Sequence, residues 1–338
     1  MATSTVTEEN APLRDASDVY DRQIRLWGAE AQSKISSASI LYVNVTGVSS
    51  EILKNLVLAG VQAAICDGRP YPDALRFTPS FFLPPGDRNS TEVIPQSKKR
   101  KMTVAQAMQQ HVHELNPLLK LPLIEERPLE DIPDSFFQEF QIVIASRISL
   151  EQATRIAAQT KLAGNKFILV DCFGMKGCAM LDLGPNHVFR REIGKDKLSD
   201  PCATKPYLSL LDILAVKLGN VSDRWNKTCP RVYMEYRSIL QYHSETGKWP
   251  LPESKEDFSN RISKWLSSEQ ECNEEVMTKD SLEIVANSAS FELSPVCAIL
   301  GGVLGNEVVK ALSGKGEPAN NLLLFDSVDG GCRNFLVK

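Results

Sequence analysis

Several features that would assign a chain to a broad class are missing from this 338-residue sequence. No stretch approaches the ~20 consecutive apolar residues of a membrane span, so we expect no membrane association. The formal net charge of −4 leaves no basic excess of the kind that general nucleic-acid binders carry, so no nucleic-acid partner is expected. The four histidines and eight cysteines are scattered and include no close Cys-x-x-Cys pair, so no metal site is indicated.

The N-terminal residues 1–17 are polar and contain no hydrophobic signal segment. We expect them to form a disordered tail. Because no export signal is present, the cysteines are expected to be reduced thiols inside the cell. The predicted location is the nucleus, with the cytoplasm as a further compartment.

The first half of the chain alternates between two kinds of hydrophobic pattern. The short apolar runs that predict strands are residues 39–45, 63–67, 141–145 and 166–172. The segments with helical periodicity between them are residues 51–59, 98–115 and 151–162. Strands separated by helices of this length predict an α/β fold with a doubly wound, mostly parallel sheet.

The turn after the first predicted strand lacks the glycines of a nucleotide site. A turn of the form G-x-G-x-x-G lets phosphates approach bare backbone at a helix N-terminus. The residues that stand across this turn are Asn44, Thr46, Gly47 and Ser49. Asp67 ends the second strand where a ribose-binding acid would stand, but an aspartate followed by glycine is equally a turn former. We therefore expect no nucleotide here, and a helix that is capped by Ser49 or Ser50.

Residues 20–28, with the sequence YDRQIRLWG, are the most informative segment of the chain. Arg22 and Arg25 are three residues apart and would share one face of a helical turn. The side chains that would hold this turn in place are Gln23, Ile24, Leu26 and Trp27. From the residues alone, an amphipathic helix that caps a core explains the pattern.

This opening motif resembles the start of the enzymes that activate ubiquitin-like modifiers, and of their bacterial adenylyltransferase relatives of the ThiF and MoeB type. The resemblance implies a Rossmann-type adenylation domain. It also implies that Arg22, with Arg25 in support, crosses a dimer interface and contacts the phosphates of ATP held by the other subunit. A planar, permanently charged guanidinium suits that role, because it can bind phosphate oxygens bidentately.

Three elements that this family uses to bind ATP are missing. The expected N-x-x-R-Q element is absent from residues 77–88. The basic cluster at residues 98–101 lies where a lysine should follow, but a solvated helical turn or a nuclear-import signal explains it equally. Ala145, Ser146 and Arg147 occupy the position of the magnesium-binding aspartate. We therefore expect this chain to bind neither ATP nor magnesium, both of which its partner would hold.

Residues 295–326 form a second block that resembles this family. Ser294 and Pro295 predict a helix start with serine at the cap, and Gly314 predicts the helix end. Gly301 and Gly302 inside that helix would each cost roughly 1 kcal/mol relative to alanine. We expect a close approach there, against the sheet or a partner helix.

Within the family, this block is similar to the small-subunit branch of the SUMO-activating enzymes. The predicted helical insertion at residues 185–285 is too short for the corresponding subunit of the neddylation pathway, which stays an alternative. The resemblance implies a non-catalytic subunit that pairs with the large catalytic subunit and contacts SUMO only indirectly. The other alternative is a pure scaffold built on an adenylation fold that has lost its activity. A self-sufficient homodimeric adenylyltransferase is disfavoured because the ATP-binding elements are missing.

The predicted organisation follows from these segments. Its parts are a tail at 1–17, a nucleotide-binding-type half at 18–184, the insertion at 185–285 and a closing segment at 286–338. The helices predicted within the insertion are residues 207–218, 232–244 and 255–266. Cys202, in a polar loop, is the one cysteine considered for thioester formation, although an ordinary loop thiol explains it better. Cys172 and Cys178 flank a predicted turn and are expected to be core thiols.

Overall fold

The computed structural model describes residues 16–71, 74, 78–83, 102–194, 197–221, 229–269 and 277–337. The helices are α1 (Ala16–Val19), α2 (Asp21–Trp27), α3 (Ala29–Ser36), α4 (Gly47–Leu58), α5 (Val104–Leu115), α6 (Asp134–Phe137), α7 (Leu150–Leu162), α8 (Leu210–Ala215), α9 (Arg231–Thr246), α10 (Lys255–Ser268), α11 (Lys279–Ser288) and α12 (Ser294–Ser313). The strands are β1 (Ser39–Val43), β2 (Gln62–Cys66), β3 (Leu123–Glu125), β4 (Ile142–Ala145), β5 (Lys166–Phe173), β6 (Lys176–Asp182), β7 (Val188–Phe189), β8 (Glu192–Gly194), β9 (Lys197–Leu198), β10 (Cys202–Ala203), β11 (Leu322–Asp326) and β12 (Gly331–Phe335).

The central sheet has the strand order β12-β11-β6-β5-β4-β1-β2-β3. Strands β3, β2, β1, β4 and β5 pair in parallel. Strands β6, β11 and β12 extend the sheet by antiparallel pairing. The chain crosses from β2 on one side of β1 to β4 on the other, and the crevice at such a switch point is where open α/β sheets bind ligands. The predicted doubly wound, mostly parallel sheet is confirmed.

Both faces of the sheet are covered by helices, which explains why its parallel strands are apolar along their whole length. Alternate residues of β1 point to opposite layers. Ile40 and Tyr42 pack with α4, α5 and α12, whereas Leu41 and Val43 belong to the layer that contains α7 to α11. The switch point between β1 and β4 is therefore held between two packed layers.

Helix α12 is the central helix of the first layer. Its 20 residues have the length and apolar composition of a membrane span, which the sequence analysis did not anticipate. Its most apolar window is 61% buried within the protein, however, because the helix packs on α4 and the sheet. A Cβ on Gly301 would lie 2.6 Å from the Cβ of Glu51, so the expected close approach is confirmed there, whereas Gly302 faces open space.

Residues 185–285 are less purely helical than predicted. The short strands β7 to β10 precede the helices, and no periodicity in the sequence had indicated them. Helix α9 packs directly on the sheet, where Tyr236 stacks on Phe173 with ring centroids 5.9 Å apart. This segment therefore supplies part of one helical layer, while the predicted domain boundaries stay a prediction. Residues 1–15 of the predicted tail and the basic cluster at 98–101 lie outside the described residues.

Candidate functional site

The turn between β1 and α4 carries the residues that replace a glycine-rich loop. Asn44 adopts a left-handed conformation with φ of 55°, and its side-chain amide donates to the Arg147 carbonyl at 3.1 Å. Helix α4 begins at Gly47, four residues before the predicted start, with Thr46 at the cap position. The predicted cap at Ser49 or Ser50 is therefore wrong. Ser49 lies inside the first turn and accepts the backbone N–H of Thr46 at 2.7 Å.

The anion-binding end of α4 is already occupied by a carboxylate of this chain. The backbone N–H groups of Gly47 and Val48 donate to the two oxygens of Glu292, at 2.8 and 3.4 Å. These are groups that a nucleotide phosphate would use at a helix N-terminus. Glu292 is only 6% exposed, and burial raises the pKa of its carboxyl group. The side chain stands in for a phosphate.

The space above this turn is closed as well. A Cβ at Gly47 would lie 2.8 Å from the Cys297 sulfur and 3.0 Å from the Pro79 carbonyl oxygen. Gly47 therefore serves a close internal contact rather than a close approach of phosphate. The prediction that this turn holds no nucleotide has a structural reason in this packing.

The acid at the end of β2 is also engaged internally. Asp67 accepts the backbone N–H of Val45 at 2.8 Å and forms a bidentate ion pair with Arg69, with N–O distances of 2.7 and 2.9 Å. The Arg69 guanidinium in turn donates to the Val45 carbonyl at 3.1 Å. With its side chain fully buried and both oxygens bonded, Asp67 has no free acceptor for a ribose hydroxyl.

The residues at the end of β4 complete a buried polar network. Asp171 accepts the Ser146 hydroxyl at 3.0 Å, the Arg147 backbone N–H at 2.7 Å and the Tyr236 hydroxyl at 2.6 Å. Burial is the main cause of the raised pKa of Asp171, and the Arg147 charge opposes it. Ser146 continues the network to Thr46, with 2.8 Å between the two hydroxyl oxygens. Four elements are thereby tied together at the position where the family would bind magnesium.

Arg147 itself has an unusual backbone conformation. Its φ is 52°, in the left-handed region that costs a non-glycine residue roughly 1–2 kcal/mol. Its guanidinium donates to the carbonyls of Cys172 and Ala289 and lies over the Trp249 ring, 5.1 Å from the centroid. A cation thus stands where an active site would need a carboxylate for its metal.

The sequence analysis did not foresee a cluster of possible metal ligands beside Glu292. The sulfurs of Cys172 and Cys297 and a Glu292 oxygen lie within 4.8 Å of one another and are buried. Burial raises the pKa of the Cys172 thiol well above its usual value, which favours the protonated form rather than a metal-binding thiolate. Cys178 is also buried, so the predicted core location of Cys172 and Cys178 is confirmed.

The opening motif lies at the other end of α4. Helix α2 carries Arg22, which is exposed and forms no hydrogen bond or ion pair with the described residues. Gln23 donates to the carbonyl of Leu58, the last residue of α4, at 3.2 Å. Since α4 has 12 residues, about 18 Å of helix separate this contact from the nucleotide-type turn.

The other residues of the motif have separate roles. Arg25 forms an exposed ion pair with Asp21 at 3.0 Å. The Trp27 indole donates to Gln32 at 2.9 Å and is partly buried, so it anchors α2 to α3 as expected. Leu26 is 71% exposed, and its predicted anchoring role is wrong within this chain. A helix this short can bury only one stripe, and Trp27 occupies it.

Cys202 is the first residue of the short strand β10 and pairs with Phe189 of β7, rather than lying in the predicted loop. Its sulfur is half-buried, 3.4 Å from the Asp200 carbonyl and 4.0 Å from the Ser199 hydroxyl. No histidine or carboxylate side chain of the described residues contacts it. The surroundings are those of an ordinary thiol.

The fold and the closed turn define a doubly wound α/β protein of the nucleotide-binding type whose own site is filled by its own side chains. The ThiF family matches residues 92–338. The chain therefore belongs to the ThiF family, as the resemblance indicated.

Full-length relatives extend this similarity over nearly the whole chain. SUMO-activating enzyme subunit 1 of Dictyostelium discoideum is 26% identical over 320 residues, covering 92% of this chain and 90% of the relative. The protein of that name from Danio rerio is 30% identical, covering 92% of each chain. SUMO-activating enzyme subunit 1B-1 of Arabidopsis thaliana is 32% identical, covering 92% and 93%.

Proposed function

We propose that this chain is the non-catalytic small subunit of a SUMO-activating enzyme, the first enzyme of protein sumoylation. It pairs with the large catalytic subunit, and the pair adenylates the C-terminal glycine of SUMO with ATP and releases pyrophosphate. The acyl group then passes from the adenylate to a cysteine of the large subunit, and AMP is released. The proposal is supported by full-length relatives named as subunit 1 of that enzyme.

The absence of a usable nucleotide turn supports the assignment of ATP and magnesium to the partner. Glu292 takes the N–H groups that phosphates would need, and Asp67 is bonded to Arg69. An ATP molecule at this turn would have to displace the buried Glu292 side chain from the two backbone N–H groups that it already occupies. A self-sufficient homodimer is disfavoured for the same reason.

The single observation that carries the catalytic contribution is the position of Arg22. It is exposed, has no partner among the described residues, and stands at the opposite end of α4 from this chain's own turn. This position supports an action on a neighbouring subunit rather than in cis. In the pair, Arg22 stabilises the phosphates of the partner's ATP as charge develops on them.

Two other assignments are weighed against this one. The regulatory subunit of a neddylation enzyme is not favoured, because the relatives reported above carry the SUMO name. A pure scaffold would leave Arg22 without a role. The proposed subunit acts in the nucleus and also in the cytoplasm.

The first experiment is ATP–pyrophosphate exchange in the presence of SUMO. It compares this chain alone, the large subunit alone and the mixture. The expected result is exchange in the mixture and none with this chain alone. Exchange by this chain alone would contradict the closed-turn argument.

The arginine role is tested in the same assay with the Arg22→Ala variant of the pair. We expect exchange to slow at least about tenfold, or 1.4 kcal/mol for each factor of ten, while the heterodimer persists on gel filtration. Arg261→Ala is the control and should leave exchange unchanged, because Arg261 is an exposed arginine of α10 that pairs with Asp257. An Arg22→Ala pair with normal exchange would support the scaffold assignment instead.

A further inference from the structure

A second concave site lies next to the closed turn, on the side of α9. It is a cleft of about 590 Å³ between the carboxyl edge of the sheet and the segment that follows α9. Its lining residues are Arg69, Ala74, Thr78, Arg147, Tyr242, His243, Gly247, Lys248, Trp249, Leu251, Ser254 and Ser290. Three of these described residues are arginine or lysine, and none of them is a carboxylate.

Both arginines of the cleft have N–H groups that form no hydrogen bond with the described residues. The contacts of Arg147 to Cys172 and Ala289 both use one terminal nitrogen, Nη2. Its Nε and Nη1 have no partner among the described residues. Arg69 uses Nε and Nη2 on Asp67 and Val45, which leaves its Nη1. Guanidinium groups with spare N–H donors are well suited to oxyanions.

The position of Arg147 is fixed from several directions. Asp171 accepts its backbone N–H, Asn44 donates to its carbonyl, and the Trp249 ring lies against its guanidinium. The His243 ring packs on the same indole, with centroids 4.1 Å apart. A cation held in this way loses little conformational entropy when it binds an anion.

The charge of the cleft is only partly balanced. Asp67 neutralises Arg69, but the ammonium group of Lys248 is exposed at the rim and has no ion-pair partner in the described part of the chain. Two carboxyl groups, Asp171 and Glu292, lie buried near Arg147. Both already accept hydrogen bonds, from Tyr236 and Gly47 among others, and burial favours their neutral forms.

We propose that this cleft binds a phosphate-type oxyanion, gripped by Arg147 and Arg69 and covered by Lys248. The bound oxyanion is either inorganic pyrophosphate or the phosphate group of a nucleotide. The cleft is large enough for either, and the faces of Trp249 are already in contact with Arg147 and His243. The charged group therefore dominates recognition. The proposal does not depend on the proposed function, since it concerns binding to this chain.

The test is calorimetric titration of the full chain with pyrophosphate and, separately, with AMP. We expect saturable binding of pyrophosphate with a Kd of about 1 mM or tighter at low salt, weakening as salt screens the charges. If AMP binds at least about tenfold more tightly than pyrophosphate, the ligand of the cleft is a nucleotide. If it does not, the ligand is inorganic pyrophosphate. Absence of saturation by both probes up to about 10 mM would overturn the proposal.

Three variants locate the binding. Lys248→Glu changes an exposed rim residue and should weaken binding at least about fivefold without unfolding the chain. Arg147→Lys keeps the charge but loses the planar fork, and should weaken binding at least about tenfold. Arg333→Gln removes an exposed arginine on the β12 hairpin and should leave the affinity within about twofold. If Lys248→Glu binds pyrophosphate as tightly as the wild type, the anion lies elsewhere and the site is refuted. This outcome is decisive even if the Arg147→Lys chain does not fold.

Discussion

Glu292 offers the most direct test of the idea that this protein closes its own nucleotide turn. Its carboxylate accepts the N–H groups of Gly47 and Val48 and a hydrogen bond from the Thr78 hydroxyl. Substitution by alanine would leave both backbone donors buried without an acceptor. Substitution by glutamine keeps the shape and one acceptor oxygen.

The size of each effect can be worked out from these contacts. An unsatisfied buried donor costs about 1–3 kcal/mol, and removing the desolvated Glu292 carboxyl group offsets part of that cost. We therefore expect Glu292→Ala to lower the free energy of unfolding by about 2–4 kcal/mol and Glu292→Gln by about 1 kcal/mol. For a chain of 338 residues, the unfolding entropy is about 0.7 kcal/mol per degree, so the Tm should fall roughly 3–6 °C for alanine and 1–2 °C for glutamine.

The pH dependence separates a buried acid from an ordinary surface one. Burial raises the pKa of Glu292 above its usual 4.5, so between 4.5 and the raised value the folded chain holds a proton that the unfolded chain releases. In that range the contribution of Glu292 to stability falls as the pH rises. Glutamine does not titrate, so the wild-type advantage over Glu292→Gln should shrink from about pH 5 upward.

The assay is thermal or urea unfolding of the three proteins across this pH range. Glu139→Gln, at an exposed position, is the control and should change stability by less than about 0.5 kcal/mol at every pH. An alanine variant as stable as wild type, or an advantage over glutamine that grows with pH, would refute the reasoning.

Three further predictions follow from other contacts. Gly301→Ala should destabilise the chain by about 1–3 kcal/mol, because its Cβ would collide with α4. Gly302→Ala faces open space and should stabilise the chain by up to about 1 kcal/mol. Chemical unfolding measures both changes, and shifts of the same sign would contradict the packing. Tyr236→Phe removes the hydroxyl donor to Asp171 and should cost about 1–2 kcal/mol, so an unchanged melting temperature would argue against the buried network. Cys202→Ser should leave SUMO thioester formation by the proposed heterodimer unchanged, and a loss beyond about tenfold would identify a catalytic thiol.

Much of the fold could be predicted because it depends on local patterns. The apolar runs of β1, β2, β4 and β5 lie close to their predicted bounds, and the helices between them end within one residue of their predicted ends. Two of these helices start elsewhere than predicted: α4 begins four residues earlier, and α5 begins at Val104 rather than at residue 98. The end of α12 at Gly314 was predicted from the one residue type that readily adopts its left-handed conformation. The start of α12 was one residue off, since Leu293 and not Ser294 holds the cap position.

The filling of the turn could not be predicted in the same way. Glu292 is 245 residues from Gly47 in the chain, and nothing in its neighbouring sequence indicates a buried carboxylate. The early start of α4 is partly of the same origin, because the N–H groups of Gly47 and Val48 are satisfied by that distant acid, while Ser49 accepts the N–H of Thr46. The strands β7 to β10 have two or three residues each, too few for a period of two to be recognised.

The internal contacts at this edge share one physical consequence. In a nucleotide-binding half, the helix N-terminus, the ribose acid and the metal position complete their bonds when the ligand arrives. Here Glu292, Arg69 and Arg147 complete them within the chain. This half therefore needs no ligand to satisfy its buried polar groups, and its sheet and α4 are ordered in advance.

Because α2 rests on the far end of α4, the same arrangement holds Arg22 in a fixed place at the surface. For the proposed contact of Arg22 with phosphates on another subunit, this preorganisation lowers the entropic cost. The closed turn at one end of α4 and the proposed role of Arg22 at the other end are thus compatible consequences of one packed helix.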